Sequence, residues 1–384
     1  MHINNGLIYT ESGQFAKGTV IIDSDHIAKV IYENTDNAMA ECEECDTTID
    51  ASGLYVIPGF IDIHTHGSNG FDFCRANKEQ IKEIVKYELS NGITSVCPTT
   101  MTIDENDLID VMRRISEVSC EMSGSIVGIN MEGPFISHEK KAAQNESFIR
   151  EPDIDMFNRL YEASGGLIKL CDIAPEVEGS IELIKAIKDR VWVSLAHTAC
   201  DYDCAIEAIS AGANHVTHIY NGMNGIHHRN TGVIGAASDR DDVYVELIGD
   251  GIHVSSSAVR IIYKLMGEDR VILISDSMEA TGMLNGEYML GGQPVIKTDN
   301  EAYIKGTNTL AGSVVNLMDV FKTVVNKMNI PIEVAIKSVT ANPAKSIGIY
   351  NERGSITVNK KADILLLDNK LQLIHVIKDG EVIY

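Results

Sequence analysis

Val56-Ile57-Pro58-Gly59-Phe60-Ile61-Asp62-Ile63-His64-Thr65-His66 is an almost wholly apolar run that ends on two histidines. A run of this kind bounded by turn residues suits a strand buried on both faces, and such strands belong to parallel sheets covered by helices. The same ending recurs along the chain: Ile129-Asn130-Met131 leads to Glu132, Val193-Ser194-Leu195-Ala196 to His197, His215-Val216-Thr217 to His218, and Leu273-Ile274-Ser275 to Asp276. Eight strand candidates result, at 56–63, 93–97, 125–131, 168–174, 191–196, 215–219, 243–248 and 271–274. Between them lie amphipathic helices. Ile81, Ile84, Val85 and Leu89 share one face, and Leu108, Val111, Met112 and Ile115 share another. Eight strand–helix units predict a closed barrel, with an open doubly wound sheet as the alternative.

Both chain ends have a different texture. From Met1 to about Gly53, short alternating runs such as Thr19-Val20-Ile21-Ile22-Asp23 are broken by Asn-Gly and Ser-Gly turns. The pattern returns after about Gly348, in Gly354-Ser355-Ile356-Thr357-Val358 and Ala362-Asp363-Ile364-Leu365-Leu366-Leu367. The expected fold is therefore α/β, a (β/α)8 TIM-like barrel over 54–347 with a small β-sandwich module formed jointly by 1–53 and 348–384.

A formal charge of −23 over 384 residues argues against a protein that coats nucleic acid or an acidic membrane, since both partners demand clustered Lys and Arg. An anionic ligand must instead meet a local basic pocket. Met1-His2-Ile3-Asn4-Asn5 lacks a basic segment followed by an apolar one, and no run of about 18 apolar residues follows, so a cytoplasmic protein is expected. The eight cysteines have no framework spacing, and Cys97 and Cys171 sit inside apolar runs, as reduced thiols do. Cys42-Glu43-Glu44-Cys45 is the one C-x-x-C. It lacks the second pair that a zinc ribbon needs.

In a barrel, residues that close the strands gather on one face, where active sites of this fold lie. His64 and His66 are two apart, so on a strand they point to the same side and can chelate one ion. Glu132, before the rigid Gly133-Pro134 turn, offers either a ligand or a cap; His197 and His218 add two further imidazoles on separate strands. His215 reads as a buried histidine behind them. Asp276 suits an Asx turn as well as catalysis, but a carboxylate standing near metal-activated water is what hydrolysis needs as base and then acid. The donor set as a whole suits one or two divalent metals and a hydrolytic reaction.

A basic, glycine-rich constellation follows in Asn221-Gly222-Met223-Asn224-Gly225-Ile226-His227-His228-Arg229, and later in Gly249-Asp250-Gly251-Ile252-His253. Arg229, His228 and His253 mark a place for an anion, phosphate above all, or else an exposed loop. Thr309-Leu310-Ala311-Gly312-Ser313 precedes an apolar stripe of Val314, Leu317, Met318, Phe321 and Val325. Its Gly-Ser either binds a ligand through free N–H groups or caps the helix.

The segment 58–67 and the closing Lys361-Ala362-Asp363-Ile364 resemble the amidohydrolase superfamily. Met131-Glu132-Gly133-Pro134-Phe135-Ile136-Ser137, Thr217-His218-Ile219-Tyr220-Asn221-Gly222-Met223 and Leu310-Ala311-Gly312-Ser313, in this order, resemble within it the N-acetylglucosamine-6-phosphate deacetylase family over nearly the whole chain. The resemblance implies hydrolysis of an amino-sugar phosphate acetamide. It implies Glu132, His197 and His218 around a principal metal, His64 and His66 toward a second, and Asp276 as proton carrier. Zinc is the foremost expectation, with iron, cobalt or manganese as alternatives. Asn221 and Gly222 would hold the sugar phosphate, and Arg229 and His253 would contact it, in the family also from a neighbouring subunit, which implies a homodimer. Ala143, Gln144, Leu310, Ala311 and Gly312 complete the implied substrate pocket.

Two departures stand out. After Lys140-Lys141 many members read Gly-Ala-His, whereas this chain has Ala142-Ala143-Gln144, and Gln144 donates a hydrogen bond without positive charge. The Asn-Ala of many members is Asn221-Gly222 here. Rival readings are a deacetylase for the galactosamine epimer and a non-catalytic relative that keeps the barrel for binding. Cyclic-amide hydrolases fit less well, because their bridging lysine is replaced by Asp172-Ile173-Ala174.

Overall fold

The computed structural model describes residues 1–33, 47–122 and 124–384. Cys42 and Cys45 lie outside the described residues. Six strands, Ile129–Met131, Ile168–Ile173, Trp192–Leu195, His215–Val216, Tyr244–Ile248 and Val271–Ile274, pair in chain order and in parallel. Phe60–Thr65 pairs in parallel with Ile93–Pro98. Parallel bridges from Val96 to Ile126 and Thr99 to Asn130 join that pair to the third strand, and a bridge from Thr65 to Ser277 joins it to the eighth. The sheet thus curls shut as the expected (β/α)8 barrel. Ile61, Ile63, Cys97, Leu170, Ile248 and Ile274 form one buried cluster, and Phe60, Val96, Ile129 and Val193 belong to a larger one that includes the helices.

The long first run divides where the sequence reading kept it whole. Tyr55–Pro58 pairs with the strands at both chain ends, and Phe60–Thr65 alone enters the barrel. The break falls at Gly59, where a Cβ would lie 2.2 Å from Thr94 Oγ1, so only glycine lets the chain pass from one sheet to the other. The terminal sheet has eight strands, mostly antiparallel, and folds around its own core of Ile3, Ile8, Val20, Ile27, Val56, Ile364 and Leu366. It meets the barrel at Lys378, which donates to Gly124 O across the junction and to Asp363 within the module, an acceptor that Arg353 shares.

Lys78–Ser90 begins with a capping box between Asn77 and Gln80, and buries Ile81, Ile84, Val85 and Leu89 as the pattern requires. Glu88 shares that buried face, which the pattern does not foretell. A three-stranded antiparallel sheet, Gly286–Leu290, Gln293–Thr298 and Glu301–Ile304, follows the eighth barrel strand; the sequence reading did not foresee it. Gly312-Ser313 does not start a helix, since Leu317–Asn326 is capped by Asn316 and the segment before it runs irregularly along the barrel mouth.

Candidate metal centre and active site

The ends of strands one, three, five, six and eight converge. Glu132 Oε1 lies 3.0 Å from His197 Nε2, 3.0 Å from His218 Nε2 and 3.6 Å from His64 Nε2. His66 Nε2 is 3.4 Å from Glu132 Oε2 and 3.2 Å from Asp276 Oδ1, which in turn is 3.7 Å from His64 Nε2. All six side chains are buried or nearly so. His215 is buried behind them, 3.2 Å from Glu246 Oε1.

The far nitrogens of the rings identify their tautomers. His197 Nδ1–H donates to Lys140 O at 2.9 Å, His218 Nδ1–H to Asn221 O at 3.1 Å, and His64 Nδ1–H to Glu246 Oε2 at 2.8 Å. With the proton on Nδ1, each Nε2 presents a lone pair to the cluster, and His197 Nε2 and His218 Nε2 stand only 3.2 Å apart. Lone pairs from neutral imidazoles gather in this way around a cation. Two overlapping groups have ligand atoms within 4.8 Å of one another: His64, Glu132 and His218, and His64, His66 and Asp276. The donor set therefore fits one or two divalent ions, with His64 between the two groups.

The backbone is bent to this arrangement. His197, His218 and Asp276 have φ of 44°, 27° and 48°, a left-handed region that non-glycine residues rarely enter. Strain of this kind, costing about 1–3 kcal/mol per residue, collects where function over-determines the conformation. It also explains why the sixth strand stops at Val216, short of the expected 219. Charge shapes the site as well. Burial alone would raise the Glu132 carboxyl, but hydrogen bonding and positive charge from His197, His218 and His66, which a bound cation would supply in place of Nε2 protons, hold it well below the carboxylate range. Asp276 is lowered against the same penalty by His66, His64 and His218.

A cavity of about 200 Å3 opens over the cluster, lined also by Ala143, Gln144, Asn221, Gly222, His253, Leu310 and Gly312. Ala311 is fully buried and does not line it. His253 is fixed by donating from Nδ1 to Asp250 Oδ2 at 2.7 Å, and faces this chain's own cavity. Arg229 does not. It is exposed, contacts His228, and borders a separate depression with Tyr202 and Thr231. Gln144 is held from both ends: Thr102 N–H donates to its Oε1 at 2.7 Å, and its amide donates to Glu132 Oε2 at 2.5 Å. Thr102, Met101, Leu290 and Glu246 were missed in the sequence. For Glu246 a signal existed, a lone carboxylate inside the apolar run Tyr244-Val245-Glu246-Leu247-Ile248.

The amidohydrolase family model matches residues 55–383. N-acetylglucosamine-6-phosphate deacetylase of Bacillus subtilis is 32% identical over 383 residues, covering 98% of this chain and 95% of its own, and that of Lysinibacillus sphaericus is 34% identical over 87% of each. The structure of a mutant deacetylase from Mycobacterium smegmatis in complex with N-acetyl-D-glucosamine-6-phosphate superposes with a TM-score of 0.92 at 29% identity, covering 100% of this chain and 98% of that one. The matched length, the barrel and the converging histidines and carboxylates agree: this chain belongs to the amidohydrolase family and, within it, to the N-acetylglucosamine-6-phosphate deacetylases.

Proposed function

We propose that this protein hydrolyses the acetamide of N-acetyl-D-glucosamine 6-phosphate, yielding D-glucosamine 6-phosphate and acetate. The observation that carries the reading is the convergence of four imidazoles with Glu132 and Asp276 beneath one cavity. In this reading Glu132, His197 and His218 hold the principal ion, and His64 and His66 help hold a second. Zinc suits the imidazole-rich set best. Bound there, a divalent ion would polarise the acetyl carbonyl and make water acidic enough to act as a nucleophile.

The chain's own groups do the rest. Asp276, kept ionised by its histidine neighbours, takes a proton from the attacking water and returns it to the departing nitrogen as the C–N bond breaks. That return is essential, because an amine anion is a very poor leaving group. The Gln144 amide, set by Thr102, directs N–H toward the cavity floor without adding charge. Asn221, the Gly222 backbone and His253 hold the sugar phosphate. Among the described residues no arginine or lysine lines the cavity, so in this reading Arg229 of a second copy meets the phosphate and the working form is a homodimer. In this reading the enzyme works in the cytoplasm. Among the described residues no helix is long and apolar enough to cross a membrane.

The test is acetate release from N-acetylglucosamine 6-phosphate, beside the unphosphorylated sugar and the galactosamine epimer, with metal supplied. Release from the phosphorylated glucosamine substrate alone is expected; no release from any of the three sinks the assignment.

A further inference from the structure

Behind the imidazoles lies a carboxylate to which none of the roles above is given. Glu246 stands mid-strand in Tyr244–Ile248, inside the barrel and wholly buried. Its Oε2 accepts from His64 Nδ1–H at 2.8 Å and from the backbone N–H of His218 at 3.4 Å. Its Oε1 lies 3.2 Å from His215 Nε2, within charge contact though out of line for a hydrogen bond. Asn130 Nδ2 approaches His64 Nδ1 at 3.3 Å but donates to Ile63 O at 3.2 Å, so the carboxylate remains the acceptor for the ring proton. The contrast with the other rings is informative. His197 and His218 give their Nδ1 protons to backbone carbonyls, which the fold supplies, whereas His64 relies on a side chain.

We propose that Glu246 is a positioning residue for His64: it fixes the tautomer and direction of the imidazole so that Nε2 serves the half of the metal centre shared with His66 and Asp276, and His215 braces it from behind. The proposal rests on the metal-centre reading above and not on which sugar is hydrolysed. The physical reason is that a carboxylate on the far nitrogen keeps the proton there and raises the basicity of the ligating one. Without it the His64 proton can move to Nε2, where it would exclude a cation.

The experiment compares wild type, Glu246→Gln and His64→Asn, each loaded with zinc and freed of loose metal, by elemental analysis and by titration with a chromophoric chelator. Wild type is expected to release zinc in two classes, and Glu246→Gln to weaken tenfold or more the class that His64→Asn abolishes while leaving the other unmoved. Glu246→Asp, which retracts the carboxylate, supplies the same comparison should the glutamine variant not fold. Identical chelator curves for wild type and the Glu246 variants overturn the proposal, as does a wild type whose zinc is unaffected by His64→Asn. In zinc-loaded protein, proton–nitrogen-15 spectra should show the His64 Nδ1–H shifted downfield in wild type and moved upfield in Glu246→Gln; an Nδ1–H signal that the substitution leaves in place also overturns it. Neither readout uses substrate, so altered zinc release without any acetate release would reject the sugar assignment and keep this one.

Discussion

Gly222 packs against the ring of His197: a Cβ at residue 222 would lie 2.8 Å from His197 Nδ1, and φ at Gly222 is +60°. The same ring nitrogen donates to Lys140 O, so any push from residue 222 competes with the bond that sets the tautomer. Alanine at 222, though common in relatives by the resemblance above, is unsuited here. Gly222→Ala is expected to cost about 1 kcal/mol of stability and to loosen the ion held by His197. Thermal unfolding and zinc retention check it, and unchanged zinc retention would refute the coupling.

Asp276→Asn keeps the side-chain shape and the turn but removes the carboxylate to which proton transfer is assigned above. Turnover should fall by roughly 10²–10⁴ while substrate affinity changes little. Steady-state kinetics at fixed zinc separates the two, and a variant that keeps wild-type turnover would remove Asp276 from the chemistry.

Gln144→Leu leaves Thr102 N–H without its acceptor and Glu132 without its amide donor. A buried unsatisfied N–H costs about 1–3 kcal/mol, so both melting temperature and kcat/KM should drop. Gln144→His, in contrast, should retain activity and gain a titration on the acid side of its pH profile that wild type lacks.

Glu88 is buried on its helix, near Ser68, Asp62 and Asp319, and burial pushes its carboxyl up to about 8. Neither carboxylate oxygen has a well-formed hydrogen bond. Because the folded form holds this proton more tightly than the unfolded chain, its contribution is fully present below the unfolded pKa and is lost as pH rises toward 8. Relative to wild type, Glu88→Gln should therefore gain about 4 kcal/mol of stability between pH 5 and pH 9. Denaturant titrations at the two pH values decide it; a constant difference would mean that Glu88 is ionised in the folded protein.

The barrel was legible because parallel strands buried on both faces leave apolar runs, and because His64, Glu132, His197, His218 and Asp276 each interrupt or close one. The hidden parts have physical reasons too. Tyr55–Pro58 is as apolar as Phe60–Thr65, so nothing in hydrophobicity marks the change of sheet at Gly59. The sheet at Gly286–Ile304 mixes exposed, half-buried and buried residues over short strands without a clear alternation, a weak signal although Asn285-Gly286 and Gly291-Gly292 mark turns. Glu246 and Thr102 act through other residues, one by its side chain and one by its backbone, and such service depends on contacts that spacing does not reveal.

The left-handed backbone at His197, His218 and Asp276 changes what a mutational scan of the site would measure. Alanine there removes a functional group and inherits the strain, so its damage overstates the worth of the lost group. Glycine relieves the strain while deleting the group, which can make a dead enzyme more stable than the living one. Asparagine tolerates this backbone best among polar side chains, and is the substitution whose deficit can be read as chemistry alone.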